Sequence, residues 1–451
     1  MRRNMISEVG KKVLCCLSAL APWVAVAQEV QGEPEEEMLI APRIEAFVPD
    51  SFFARKQMLR HDVLMLACNE MEGRLTGSPQ DSLVALYLGK RFMENGLVPF
   101  NANYKTAQPG KDQTDYWLPY SFKARWGEQV FTRNVAGVVK GTDSALSEHF
   151  VVVGAHFDHL GWGDKAETSM RKGVHEIHNG ADDNASGVAV MLELMRYYSQ
   201  YPLPKTLVFV AFSGEELGLL GSAAFLDSFP FDLSAIDVMF NLDMLGGLQG
   251  NGFRINGTGT SREAAAMVEE ARKHTDLELS VSPDGHGPSD HASFYARQIP
   301  VFFFCTPPTP TYHTPDDDPA TLNYDGMLRI AALTGHLVKQ AGLAQPLHFT
   351  SSGEPQRPTK GMGDFKVTLG LMPDINNTAQ KGLTAMIVVE GKPAYKAGLR
   401  SGDVMCSLNG KKINSIEQYM EVLSTLKQGM KVKIKAIRKS DGRKTVYVAH
   451  V

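Results

Sequence analysis

The sequence has few cysteines and no spacing from which disulfides can be predicted. Five cysteines occur in 451 residues, and only Cys68, Cys305 and Cys406 lie beyond residue 27. An odd, widely spaced set excludes the disulfide-rich class of small secreted domains. Each of these three cysteines lies among apolar residues, which predicts buried free thiols.

Long apolar runs are also scarce. The stretch VLCCLSALAPWVAVA (13–27) is too short to span a bilayer comfortably, and no other segment comes closer. Basic residues precede it and Ala-Val-Ala ends it, which is typical of a secretory signal peptide. A lipoprotein anchored through Cys15 or Cys16 is the weaker interpretation, because Lys-Val-Leu before Cys15 lacks the required small residue. We expect export to the periplasm or the medium, with no membrane span.

Basic residues do not outnumber acidic ones. The chain has 46 Lys and Arg and 50 Asp and Glu. Residues 1–27 hold four basic and one acidic residue, which leaves 42 and 49, a net charge of −7. This balance disfavours nucleic acid as a partner. A hydrophobic content of 43% with 21% charged residues is typical of a soluble globular protein.

The length predicts two or three domains. Residues 345–363 are rich in Pro, Gly and Ser and lack periodicity, which indicates a linker. The predicted division is a signal peptide (1–27), an exposed acidic leader (28–40), a large domain (41–344), the linker (345–363) and a small C-terminal domain (364–451).

Short apolar runs alternate with helical patterns in the large domain. Runs of this length suit strands that are buried on both faces of a sheet. We therefore expect an α/β fold with a mostly parallel central sheet sandwiched by helices. The predicted strands are 149–155, 206–212, 238–244 and 299–305, and the predicted helices cover about 50–70, 79–95, 188–195 and 261–274.

Acidic and imidazole side chains follow these strands, and two further acids, Asp182 and Asp183, precede the helix that begins near Ser186. Ligands bind at the carboxyl ends of the strands in open α/β sheets, and His with Asp and Glu is the donor set of zinc sites. Taken singly, each residue has an ordinary explanation, such as a helix cap or a hydrogen-bonded histidine. Five loops on one sheet edge are less easily explained by chance. The candidates are His156, Asp158, Asp182, Asp183, Glu215, Glu216, Asp243 and His313.

The order of these motifs resembles a known family. An HxD after a strand, then GADDNASG, SGEELGLLGS, NLDM and YHTPDD, is similar to the secreted dizinc aminopeptidases over about residues 50–340. Relatives of that family include bacterial leucyl aminopeptidase, glutamate carboxypeptidase II and the glutaminyl cyclases. The resemblance implies two zinc ions per chain, a zinc-exopeptidase fold and peptide substrates.

The resemblance also implies a ligand set. One zinc would be held by His156, Asp183 and Asp243, and the other by Asp183, Glu216 and His313. Asp183, rather than Asp182, would bridge the ions, because the family's bridging Asp stands three residues before the Ser of a Ser-Gly pair.

The same resemblance assigns the remaining roles. Asp158 would orient the His156 imidazole, and Glu215 would act as general base. Independently of the resemblance, Tyr312 stands next to His313, from where it would donate a hydrogen bond to the developing oxyanion; a packing role is the alternative. With the ligand set full, three further histidines are expected beside the ligands or at the surface: His159, His175 and His178.

The C-terminal segment resembles a PDZ domain of the bacterial protease-associated type. The similarity rests on GKPAYKAGLRSGDVMCSLNGKKI (391–413), followed by an amphipathic helix from about 415 to 426. It implies that a peptide C-terminus would add as a strand to a sheet edge. A module that only braces the large domain or blocks its cleft is equally compatible. The matching peptide-binding loop is Leu369, Gly370, Leu371 and Met372.

We therefore expect an exported zinc exopeptidase, most simply an aminopeptidase. One alternative is a carboxypeptidase or a glutaminyl-cyclase-like acyltransferase on the same fold. A carboxypeptidase needs an Arg cluster for the substrate carboxylate, and the strand-end loops offer only Arg171 and Arg297. The other alternative is a catalytically silent protein that binds peptides through its PDZ domain. No GxSxG elbow supports serine hydrolysis.

Overall fold

A computed structural model describes most of the chain between residues 52 and 451. The predicted signal peptide and acidic leader lie outside the described residues, as does most of the predicted linker. Within the described residues, no helix is both long and apolar enough to cross a membrane, and the three cysteines are free thiols. The described ranges are 52–124, 127–164, 166, 168–171, 173–352, 367–373, 382–388, 391–414 and 416–451.

Local sequence signals set the helix boundaries. The Ser78 side chain accepts a hydrogen bond from the Asp81 N–H, Pro79 occupies the first turn, and Asn95 ends the helix, as predicted. The helices are α1 (Phe52–Leu66), α2 (Pro79–Glu94), α3 (Gly187–Gln200), α4 (Leu220–Asp227), α5 (Ala264–Arg272), α6 (His291–Tyr295), α7 (Tyr324–Leu343), α8 (Pro393–Lys396) and α9 (Ile416–Ser424). Short 3₁₀ turns occur at Asn69–Arg74, Gln113–Tyr116, Leu233–Ala235 and Pro319–Thr321.

The large domain contains a nine-stranded mixed sheet. Its strands are β1 (Val98–Pro99), β2 (Trp117–Lys123), β3 (Gln129–Val139), β4 (Phe150–His156), β5 (Thr206–Phe212), β6 (Ile236–Leu242), β7 (Gly252–Asn256), β8 (Glu278–Ser282) and β9 (Val301–Cys305). The order is β1-β3-β5-β4-β6-β9-β7-β8, and β2 pairs with β3. The central strands β5, β4, β6 and β9 are parallel, which confirms the predicted fold class. Antiparallel pairing occurs at β1–β3, β2–β3, β3–β5 and β7–β9.

Both faces of the sheet are covered. Alternate residues of β4 enter different cores: Val151 and Val153 pack with α1, α2, α3, α5 and α7, while Phe150 and Val152 pack with α4 and α6. Alternation places successive side chains on opposite faces. A strand buried on both faces must be apolar throughout, which explains the continuous runs.

The C-terminal domain has its own core and an antiparallel sheet. The sheet order is β10-β11-β12-β14-β15, with β13 paired to β12, and its buried residues form a cluster from Leu369 to Ala449. The strands are β10 (Leu371–Pro373), β11 (Leu383–Val388), β12 (Val404–Leu408), β13 (Lys411–Lys412), β14 (Lys431–Ile437) and β15 (Lys444–His450).

Candidate metal centre

Polar side chains converge where the parallel strands end. His156 is the last residue of β4, Glu215 and Glu216 follow β5, and Asp243 follows β6. His313 lies in the loop after β9, and Asp183 lies in the irregular turn that leads into α3. Four of these residues are buried: His156, Asp183, Asp243 and His313. The carboxyl edge of the sheet therefore holds a buried cluster of acids and imidazoles.

The first group surrounds the His156 ring. Its Nε2 lies 3.3 Å from Asp183 Oδ1 and 3.4 Å from Asp243 Oδ1. Donor atoms of His156, Glu215 and Asp243 also lie within 4.8 Å of one another. Glu215 is thus close enough to act on a molecule bound between His156 and Asp243.

The second group surrounds the His313 ring. Its Nε2 lies 2.9 Å from Asp183 Oδ2 and 3.3 Å from Glu216 Oε1. The two oxygens of Asp183 therefore face two different histidines. This is the placement required of a carboxylate that bridges two cations.

Opposite charges set the ionisation of these groups. Burial alone lowers the pKa of an imidazole, but the facing carboxylates raise the pKa of His156 and His313 well above the usual value. Burial tends to raise the pKa of Asp183, yet the two histidines hold it well below its usual range. Against the same effect of burial, His313 lowers the pKa of Glu216 to about 2. Glu215 differs. Its burial away from water, together with repulsion from neighbouring carboxylates, raises its pKa well above the usual value.

The donor set and its spacing fit zinc. Ligand atoms on one tetrahedral zinc lie roughly 3.3 Å apart, given zinc–ligand distances of about 2.0 Å. Three of the four distances between these donor atoms are 3.3, 3.4 and 3.3 Å. In addition, Asp243 Oδ1 is buried and accepts no hydrogen bond within the described part of the chain. A buried carboxylate oxygen without a donor is costly unless a cation binds it.

Asp158 supports the glutamates through the backbone. Its carboxylate accepts hydrogen bonds from the Thr76 hydroxyl (2.8 Å) and from the N–H groups of Glu215 (3.1 Å) and Glu216 (3.3 Å). The His156 Nδ1 lies 3.2 Å from the Asp158 carbonyl oxygen and 3.8 Å from its carboxylate. The backbone carbonyl of Asp158 is thus the nearer partner of the imidazole, while its carboxylate fixes the turn that carries both glutamates.

His159 contacts the second group, although the ligand set predicted from the sequence does not include it. Its Nδ1 lies 2.9 Å from Glu216 Oε1. Donor atoms of His159, Asp183, Glu216 and His313 lie within 4.8 Å of one another, so His159 belongs to the second candidate metal-binding group. The signal that could have found it is its position directly after the HxD motif. The other two histidines differ: buried His178 hydrogen-bonds Ser169, and His175 stacks on Trp162 near the surface.

Tyr312 lies beside the second group. Its ring stacks on that of His313 with centroids 3.9 Å apart. Burial, with the nearby carboxylates of Asp183 and Glu216, raises the pKa of the Tyr312 phenol well above its usual value. The phenol therefore stays protonated and remains a hydrogen-bond donor.

The predicted PDZ loop begins the C-terminal sheet. Leu369 and Leu371 are buried in the domain core, and the Gly370 N–H donates to the Thr368 hydroxyl at 2.9 Å. Gly370 has φ +69°, and a Cβ there would lie 2.0 Å from the Lys392 side chain, so glycine is required. Met372 pairs with Ile387 on β11, and β10 occupies one end of the strand order.

Comparison with known families gives two matches. The model of peptidase family M28 matches residues 134–338, and the model of the PDZ domain matches residues 367–448. The first match covers the end of β3, strands β4 to β9 and all of the candidate metal ligands. The second covers most of the described C-terminal domain.

Individual relatives are distant. The chain is 35% identical over 149 residues to aminopeptidase YwaD of Bacillus subtilis, which covers 31% of this chain and 32% of that protein. It is 29% identical over 313 residues to a probable leucine aminopeptidase of Trichophyton verrucosum, with 62% and 81% coverage. A solved Zn-dependent exopeptidase from Parabacteroides distasonis superposes with a TM-score of 0.50 at 17% identity, over 63% of this chain and 97% of that one. The last similarity concerns the fold alone.

Proposed function

The chain belongs to peptidase family M28 and carries a C-terminal PDZ domain, and we propose that it works as an exported zinc-dependent aminopeptidase. The observation that supports this most directly is the position of Asp183. Its Oδ1 lies 3.3 Å from His156 and its Oδ2 lies 2.9 Å from His313. One carboxylate thus links two complete sets of zinc donors.

His156, Asp183 and Asp243 would hold one ion, and Asp183, Glu216 and His313 the other. When bound, the pair of zinc ions lowers the pKa of a water molecule and polarises the scissile carbonyl. The protein supplies the fixed positions: Asp158 holds the backbone of both glutamates, so that Glu216 faces His313 while Glu215 remains beside His156 and Asp243.

Glu215 is the group that moves the proton. A general base must lie within hydrogen-bond reach of the attacking water and have a pKa suited to both accepting and returning a proton. Burial away from water and repulsion from neighbouring carboxylates both raise the pKa of Glu215, which makes it a better proton acceptor. We assign it to take the proton of the attacking water and to deliver it to the leaving amine.

Tyr312 is assigned to the oxyanion. Its phenol is kept protonated by its surroundings and its ring is fixed against His313. A hydrogen bond to the oxygen that gains negative charge in the transition state would be stronger there than in the ground state.

The relatives named aminopeptidases favour the amino-terminal reaction over the alternatives. A carboxypeptidase needs a cationic group for the substrate carboxylate, but Arg171 is paired with Asp316 and Arg297 with Asp227. Two sets of zinc donors argue against a cyclase that works with one ion. The presence of Glu215 and every ligand argues against a silent binding protein.

Blocked peptides test the reaction class. We expect a leucine-initiated peptide to lose its first residue, and N-acetylation to slow this by at least about 100-fold, because the free amine is part of what the site recognises. Amidation of the C-terminus should have little effect. Mass spectrometry of the products measures both, with a glutamine-initiated peptide included to detect cyclisation. Equal rates on acetylated and free peptides, or sensitivity only to amidation, would exclude an aminopeptidase.

The PDZ domain and the signal peptide complete the proposal. We infer that residues 1–27 direct export to the periplasm or the medium. The PDZ domain would receive a peptide C-terminus at β10, by addition of a strand to the sheet edge.

A further inference from the structure

Arg74 is fully buried and ends the 3₁₀ turn Asn69–Arg74. Its guanidinium donates to four backbone carbonyl oxygens. The acceptors are Leu66 (2.9 Å), Phe157 (2.6 Å), Gly180 (2.9 Å) and Asn179. A buried arginine that makes four hydrogen bonds to main-chain carbonyls fixes the positions of those backbone segments.

Two of the segments carry candidate metal ligands. Phe157 directly follows His156, and Gly180 precedes Asp183 by three residues. The two segments are far apart in the sequence, and Arg74 belongs to neither. One planar side chain therefore joins the loop of His156 to the loop of the bridging Asp183.

The backbone of the same turn strengthens the connection. The Gly161 N–H donates to the Gly73 carbonyl at 3.0 Å, and the His159 N–H donates to the Arg74 carbonyl at 3.4 Å. Gly73 has φ +65°, and a Cβ there would lie 2.3 Å from the His178 carbonyl oxygen. The turn is thus packed directly against both loops.

We propose that Arg74 is a positioning residue that holds the His156 and Asp183 loops in register before any metal binds. This proposal rests on the metal centre of the proposed function, but not on the reaction catalysed there. Metal binding would then require little rearrangement of the loops, which favours high affinity at both positions.

The positive charge of Arg74 should weaken metal binding, whereas its hydrogen bonds should strengthen it. Burial lowers the pKa of Arg74 to about 10, while Asp183 and Asp158 favour its charged form, so it is a cation at neutral pH. A buried cation near the ligands repels incoming metal ions. If charge were the whole effect, removing it would tighten metal binding. If the four hydrogen bonds matter more, removal would weaken binding despite the lost repulsion.

Two substitutions separate these effects. Arg74→Lys keeps the charge but loses the planar fork that reaches several carbonyls at once, and Arg74→Gln loses both. Zinc affinity is measured on the full chain by competition with a chelator, which does not depend on peptidase activity. We expect both variants to bind zinc about 10- to 100-fold more weakly than the wild type. Arg91→Lys, which disturbs a buried ion pair with Asp62 between α1 and α2, should leave the affinity unchanged.

Two results would overturn the proposal. One is zinc affinity within about twofold of wild type in Arg74→Lys, and the other is tighter binding in Arg74→Gln. Should a variant fail to fold, hydrogen exchange on the metal-free wild type decides the question. We expect residues 156–161 and 179–183 to remain protected there; rapid exchange of both segments would show that nothing holds them before metal binds. Normal zinc binding without peptide cleavage would contradict the proposed function and leave this proposal intact.

Discussion

Glu215→Gln should lower the rate of peptide cleavage by about 10²- to 10⁴-fold, the usual contribution of a general base, while both zinc ions stay bound. Glutamine has the same size as glutamate, and its backbone N–H can still donate to the Asp158 carboxylate. Its side-chain amide, however, cannot take a proton from water. Kinetics on an unblocked peptide and metal analysis of the same sample give the two quantities.

Glu216→Gln is the matched variant one residue away. It removes the carboxylate that lies 3.3 Å from His313 Nε2, so we expect loss of one zinc together with activity. The assignment of the two glutamates would be reversed if Glu215→Gln lost a metal and Glu216→Gln kept both. Full activity in Glu215→Gln would remove it from the mechanism altogether.

Asp183→Asn should abolish binding at both metal positions and reduce activity to background. Each oxygen of Asp183 faces a different histidine, and a neutral amide offers one poor oxygen donor in place of two charged ones. Because the charge between two cations disappears, we expect neither zinc to be retained during dialysis. Metal content of the dialysed protein measures this.

Asp243→Asn is the control for the bridging role. Of the two histidines proposed as zinc ligands, the described contacts place Asp243 beside His156, at 3.4 Å, so its loss should weaken one position and leave the other filled. Loss of a single zinc in both variants would show that Asp183 does not bridge. A thermal melt of each metal-free variant establishes that folding is preserved.

The parallel centre of the sheet was predictable because strands buried on both faces must be apolar. The runs at 206–212 and 299–305 predicted β5 and β9 closely. The antiparallel pairing of β2 with β3 was not predicted. The side chains of β2 lie at exposed or partly exposed positions. The part of β3 that pairs with β2 is mostly exposed or partly exposed as well, so no continuous apolar run marks this pairing.

The acids and imidazoles of the metal centre could be predicted from the sequence because most of them follow a strand and Asp183 directly precedes a helix. The contact of His159 with Glu216 required the structure, since it depends on how the loop after β4 folds back. Arg74 could not be found at all. Its partners are main-chain carbonyls, which leave no trace in side-chain patterns.

Stepwise addition of zinc to the metal-free protein, with bound metal and cleavage of an unblocked peptide followed together, tests the central claim most directly. Asp183 lies between His156 and His313, with one oxygen facing each ring. This arrangement predicts that two zinc ions bind per chain and that full activity requires both. Full activity with one bound zinc per chain, and no further binding, would contradict a two-metal centre.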